Sequence, residues 1–167
     1  MDPRLHHVQR EAELVNPTAR LALLQEFFRE TAALHRRHLA SAERVSAYDG
    51  NNAYQYVLAR EDAHLDWLRR AVIEAGGVPD ESATPDGSGA SPAEDARQAD
   101  EFLARWQPRV SGVTHARDRK MLELVLGEVA EHQRFFAQAA GGSAELLGRR
   151  PERAGTGGGV LPRRWVE

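Results

Sequence analysis

The chain has 167 residues, with 22 Lys and Arg against 25 Asp and Glu for a formal charge of -3. Both signs are interspersed, so there is no basic stripe to follow a nucleic-acid backbone, and nucleic acid is not an expected partner. Cysteine is absent, which excludes disulfides, thiolate catalysis and Cys-ligated zinc or iron–sulfur centres and leaves oxygen and imidazole as the available metal ligands.

In chain order, residues 1–15 read as an N-terminal extension. Asn16-Pro17 then places a capping side chain before a proline at the first helical position, and the stretch that follows runs to about Ala47 with no further Gly or Pro. This is the first expected helix. Tyr48-Asp49-Gly50-Asn51-Asn52 is dense in turn formers, and a second periodic stretch over 53–75 is closed by Gly76-Gly77. Residues 78–90 are mostly Pro, Gly, Ser, Asp and Ala, an expected linker that is exposed, mobile and packed against little. Ser91-Pro92-Ala93-Glu94 has the form of a capping box and opens a short third helix that should end near Pro108. Thr114 is in place to cap a fourth helix ending at Gly141-Gly142. Past that point, over 143–167, glycine and arginine dominate, and a disordered tail is expected beyond Leu146-Leu147. The closing Val160-Leu161-Pro162-Arg163-Arg164-Trp165 reads as part of that tail, with a docking peptide as the other reading.

No segment alternates apolar and polar residues as a strand would, so the fold class is all-α, a four-helix bundle over 16–142. The long connection between helices 2 and 3 could span a bundle end to end at up to ~3.3 Å per residue. No apolar run nears the ~20 residues of a membrane span. The N-terminus, with Asp2, Arg4, His6 and His7, lacks the apolar region of a signal peptide, so a cytoplasmic protein with no membrane partner is expected.

Stepping 100° per residue sorts each helix into an inward arc and an outward face. In helix 1 the arc of Leu24, Phe27, Phe28, Thr31, Leu34, Ala42 and Val45 also contains His35 and His38, with Glu30 at its margin. In helix 2 Glu61 occupies the centre of the arc formed by Tyr54, Val57, Leu58, Leu65, Leu68 and Val72, with His64 on its flank. In helix 4 Glu128 and His132 lie among Met121, Leu122, Val125, Val129, Phe136 and Ala139. Helix 3 presents Ala96, Ala99, Phe102, Leu103 and Trp106, with Asp95 near the edge. Each pair is spaced three or four residues apart and so shares a face, and antiparallel pairing of helices 1 and 2 sets His38 opposite Glu61 and His35 opposite His64. A chain that buries two carboxylates must supply proton-sharing partners or a cation, because an unpaired buried charge costs several kcal/mol.

The stretch 52–77, with Glu61-Asp62-Ala63-His64 at the centre of an amphipathic helix ended by Gly-Gly, resembles the second helix of ferritin-like and rubrerythrin-like proteins. The resemblance extends over roughly 17–140 and implies a ferritin-like four-helix bundle whose core binds iron or manganese through Glu-x-x-His motifs. It implies that Glu61 bridges metal, that His64 is a terminal ligand and that Glu128 and His132 are the helix 4 counterparts. Two departures stand out: His35 and His38 replace the helix 1 glutamate unless Glu30 turns inward, and helix 3 lacks its glutamate. With fewer carboxylates, a single metal, zinc or an empty core also fits the residues.

The expected function is therefore a ferritin-like metal-binding protein, with His35, His38, Glu61, His64, Glu128 and His132 as ligands to iron or manganese reacting with oxygen or peroxide. The alternative is a metal-free bundle serving as a structural or interaction module, its Glu and His residues forming a mutually satisfied network that sets helix register. Homo-oligomerisation is compatible with either. No Ser-His-Asp order, phosphate-binding glycine loop or His-Glu-x-x-His motif points to another chemistry.

Overall fold

The computed structural model describes residues 16–82 and 91–143. The expected N-terminal extension, the 83–90 part of the linker, and the tail from 144 on, including the Leu146-Leu147 and 160–165 segments, lie outside the described residues. Within the described residues the chain forms four helices and no strand: α1 (Pro17–Ala42), α2 (Tyr48–Glu74), α3 (Pro92–Ser111) and α4 (Ala116–Ala140). The all-α, four-helix class read from the sequence is the architecture found.

The helix starts follow from local chemistry. Asn16 is extended and its side chain accepts from the Thr18 N–H at 3.0 Å, while Pro17 takes a position whose N–H would lack a helical partner. Ser91 does the same for α3, accepting from the Glu94 N–H at 3.3 Å ahead of Pro92. The Glu94 carboxylate is taken by Arg37, Arg97 and Gln98. The N-cap of α4 is His115, one residue past Thr114, and its Nδ1 accepts from the Asp118 N–H.

Two boundaries differ from the sequence reading. The link between α1 and α2 lies at 43–47, and Tyr48 to Asn52, expected as the turn, is the first part of α2. Asp and Asn suit a helix N-terminus as well as a turn, because an acid there complements the positive end of the helix dipole. Gly50 lies where a Cβ would come within 2.8 Å of Val45 Cγ1, so the missing side chain lets the link pass close over the helix start. In α3, Pro108 sits inside the helix, which continues to Ser111. So near the C-terminus, the proline removes one hydrogen bond without ending the element.

Ion pairs between helices fix their directions. Glu26 meets Arg109, Glu30 meets Arg105 and Arg37 meets Glu94, so α1 and α3 run antiparallel. Arg60 meets Glu128 and Glu74 meets Arg117, so α2 and α4 do too. With α1/α2 and α3/α4 packed as hairpins, all neighbours are antiparallel and the diagonals are α1–α4 and α2–α3. It follows that α2 ends at one end of the bundle and that α3, joined to it through 75–91, begins at the other. The described start of that connection is tied down, contrary to expectation. Val78 O accepts from Gln25 at 3.3 Å, Glu81 O accepts from Arg36 at 3.1 Å, and the Glu81 carboxylate accepts from Arg69 at 2.9 Å.

The apolar interior falls into two parts. The larger joins Leu24, Phe27, Phe28, Leu68, Phe102, Trp106, Leu122 and Val125 with their neighbours, and the smaller joins Ala42, Tyr54, Val57, Leu58, Ala96 and Phe136. Between them lie His38, Glu61, His64 and His132, all buried.

Candidate functional site

The layer dividing the core is built by stripes of three- and four-residue spacing. On α2 the stripe runs Tyr54, Val57, Glu61, His64, Leu68, and on α4 it runs Leu122, Val125, Val129, His132, Phe136, so the polar groups occupy positions that leucines would otherwise fill. On α1, His38 follows Leu34 and Thr31 on the buried face, and His35 flanks it at 18% side-chain exposure.

Glu61 is the centre of the cluster, with 2% of its surface exposed. The Nδ1–H of His38 donates to its Oε1 at 2.7 Å and the Nδ1–H of His35 donates to Oε2 at 3.3 Å. His132 Nδ1 stands 3.8 Å from Oε1, beyond hydrogen-bond reach, and is buried without a hydrogen-bond partner. Three imidazole nitrogens thus surround one carboxylate. Burial opposes the Glu61 charge, but the attraction of His38 and the hydrogen bonds from His35 and His38 outweigh it and hold the carboxyl at about 2. The hydrogen bond to Glu61 pushes His35 upward, whereas burial pushes His132 down to about 4. On its outer side, His35 Nε2 lies 3.4 Å from Asp62.

Glu128 and His64 form a second, adjoining group. His64 Nε2 lies 3.0 Å from Glu128 Oε2, and the ring of His64 stacks against that of His132 with centroids 6.3 Å apart. The Glu128 carboxylate, 22% exposed, is clasped by Arg60, whose Nε donates to Oε2 at 2.7 Å and whose second nitrogen donates to Oε1. That guanidinium holds the Glu128 carboxyl below the usual range, and burial lowers His64. His64 Nδ1 and His38 Nε2 are also buried without partners.

The structure therefore brings His35, His38, Glu61 and His132 together and sets His64 and Glu128 beside them. His35 faces Glu61 rather than His64, one turn from the expected pairing. Glu30 does not join the cluster: its carboxylate accepts from Trp106 Nε1 and Arg105, each at 2.8 Å, across the α1–α3 seam. Two buried acids went unread. Asp95, placed near an edge from the sequence, is fully buried and accepts from the Tyr54 hydroxyl at 2.6 Å, with Arg37 Nε 3.7 Å away. Asp118 is buried under a two-point clasp from Arg20. The signal for both was their register, since Asp95 begins the stripe Ala99, Phe102, Trp106 and Asp118 begins the stripe Leu122, Val125, Val129. Arg60 also went unread as the partner of Glu128.

As arranged, no group of three or more His, Asp or Glu side chains among the described residues stands in position to hold a metal ion. The donor set can be tested against one all the same. Two ligands bound at ~2.1 Å lie roughly 3.0 to 3.4 Å apart in octahedral or tetrahedral geometry. The distances from Glu61 to His38, His35 and His132 are 2.7, 3.3 and 3.8 Å, and they bracket that edge. No helix among the described residues is long and apolar enough to cross a membrane. No protein-family model, curated protein or solved structure matches the chain.

Proposed function

We propose that this bundle is a ferritin-like metal-binding protein whose core takes a divalent transition metal at Glu61 with His35, His38 and His132, iron or manganese serving reactions with oxygen or peroxide. The observation that carries this reading is His132 Nδ1, an imidazole nitrogen buried without a partner 3.8 Å from a buried carboxylate. Buried polar groups are almost always paired, and a cation shared with Glu61 would give His132 Nδ1 a partner. Three imidazoles and one carboxylate suit first-row transition metals better than magnesium or calcium. The all-antiparallel neighbours, with α2 ending and α3 beginning at opposite ends of the bundle, are what a ferritin-like bundle requires. When bound, such a metal would supply a redox couple. The chain's own contribution is to fix the ligands on three helices and to keep bulk water from them.

A second reading, a metal-free structural or interaction module, is favoured by one specific observation: both core carboxylates already have partners, Glu61 in imidazoles and Glu128 in Arg60 and His64. Elemental analysis of protein expressed in iron- and manganese-supplemented medium, with melting before and after chelation, separates the two. Near-stoichiometric metal whose removal lowers the melting temperature is expected. Trace metal and a melting curve indifferent to chelator would leave the metal-free module.

A further inference from the structure

The two core carboxylates differ in what balances their charge. The groups in hydrogen-bond or ion-pair contact with Glu61 are His35, His38 and His132, all of them imidazoles, a common metal-ligand type. Glu128 instead holds a guanidinium, which stays protonated under all ordinary conditions. Arg60 comes from the exposed side, 42% accessible, and engages both Glu128 oxygens. His64 Nε2 closes the same group at 3.0 Å, and the stacked His64 and His132 rings join it to the Glu61 cluster. On α3 the buried acid, Asp95, accepts from the Tyr54 hydroxyl. One carboxylate thus faces imidazoles alone, and the other already holds a permanent cation.

Building on the metal-binding reading above, we propose that the Arg60 guanidinium is the resident cation of the Glu128–His64 cluster. The core then takes one metal ion, at Glu61, and Arg60 excludes a second. A metal at Glu128 would have to displace a bidentate, charge-assisted pair, among the stronger hydrogen-bonded contacts available to a carboxylate. Without Arg60, Glu128 and His64 would present an oxygen and a nitrogen to a cation from the solvent side, next to the His132 ring.

The test is calorimetric and absorption titration of the chelator-stripped full chain with Co2+, which reports stoichiometry and ligand geometry together. One equivalent is expected for the wild type and for Arg60→Lys, which keeps the charge. Two are expected for Arg60→Ala, with the second lost again in the Arg60→Ala, Glu128→Gln double variant. Arg60 is on the accessible side, and circular dichroism of each variant confirms the helices. Two equivalents in the wild type, or one in Arg60→Ala, would overturn the role given to Arg60 while leaving metal binding at Glu61 intact. No binding by any variant removes the metal-binding reading itself, and this inference with it.

Discussion

A carboxylate in the middle of a hydrophobic stripe is the residue on which the two functional readings divide. Glu61→Gln keeps the size and one acceptor oxygen but removes the charge. Because loss of a partner outside the ligand shell already costs roughly 10- to 100-fold in metal affinity, loss of this ligand is expected to weaken binding by at least about 100-fold. Helical content of the metal-free protein should be unchanged, as read by circular dichroism. Equal metal content in wild type and Glu61→Gln would show that Glu61 is not a ligand. Glu61→Leu adds a control, since replacing a buried charge by an apolar side chain is often neutral. Here His38 and His35 would each lose an acceptor, so a gain in melting temperature would favour the metal-free module. Tyr54→Phe examines another buried acid: it takes the 2.6 Å donor from Asp95, and an unsatisfied buried group costs roughly 1 to 3 kcal/mol. Urea unfolding should show that loss, with metal binding unaffected.

The inward residues of α1, α2 and α4 could be read from the sequence because a 100° step is a rigid rule within a helix. Glu61, His64, His38 and His132 are buried where the apolar arcs placed them. Partners across helices were harder to read. Arg60 lies outside the arc of α2, and only the packing of α2 against α4 reveals that its long side chain reaches Glu128. Asp95, read at the edge of the arc of α3, is buried at the start of the stripe of Ala99, Phe102 and Trp106. The turn at 48–52 was misread because Asp, Asn and Gly serve helix starts and turns alike, and only the approach of Val45 to Gly50 distinguishes them. Gly76 is the clearer punctuation. Its φ of +86° follows the last turn of α2, where Gly76 N and Gly77 N return to Ile73 O and Val72 O, each at 2.9 Å. Gly76→Ala is expected to cost roughly 1 to 2 kcal/mol, the strain of a left-handed residue with a Cβ. A shifted urea midpoint at unchanged slope would record it, and an unmoved midpoint would show that the helix end relaxes instead.

Across the whole molecule, the polar layer makes stability depend on pH. His132 is pushed by burial from 6.5 to about 4, so between those values the unfolded chain binds a proton that the folded chain does not, and stability falls as pH falls. Glu61, held at about 2, adds stability that is present above its ordinary 4.5 and lost as pH drops toward 2. His35, raised by Glu61, works the other way: its contribution is full below 6.5 and lost as pH rises through its folded value. In excess chelator, the melting temperature is expected to decline from pH 6.5 to 4, and His132→Gln should flatten that decline. Parallel profiles for the two proteins would place the acid sensitivity elsewhere.

Metal bound at Glu61 with three histidines is tested most directly by diffraction from crystals grown with Mn2+ or Fe2+, recorded at the metal absorption edge. One anomalous peak is expected in the layer between the two apolar clusters, within ~2 to 2.5 Å of Glu61 and of nitrogens of His35, His38 and His132. A core with no peak there, the Glu61 to His38 hydrogen bond still closed at saturating metal, would contradict it.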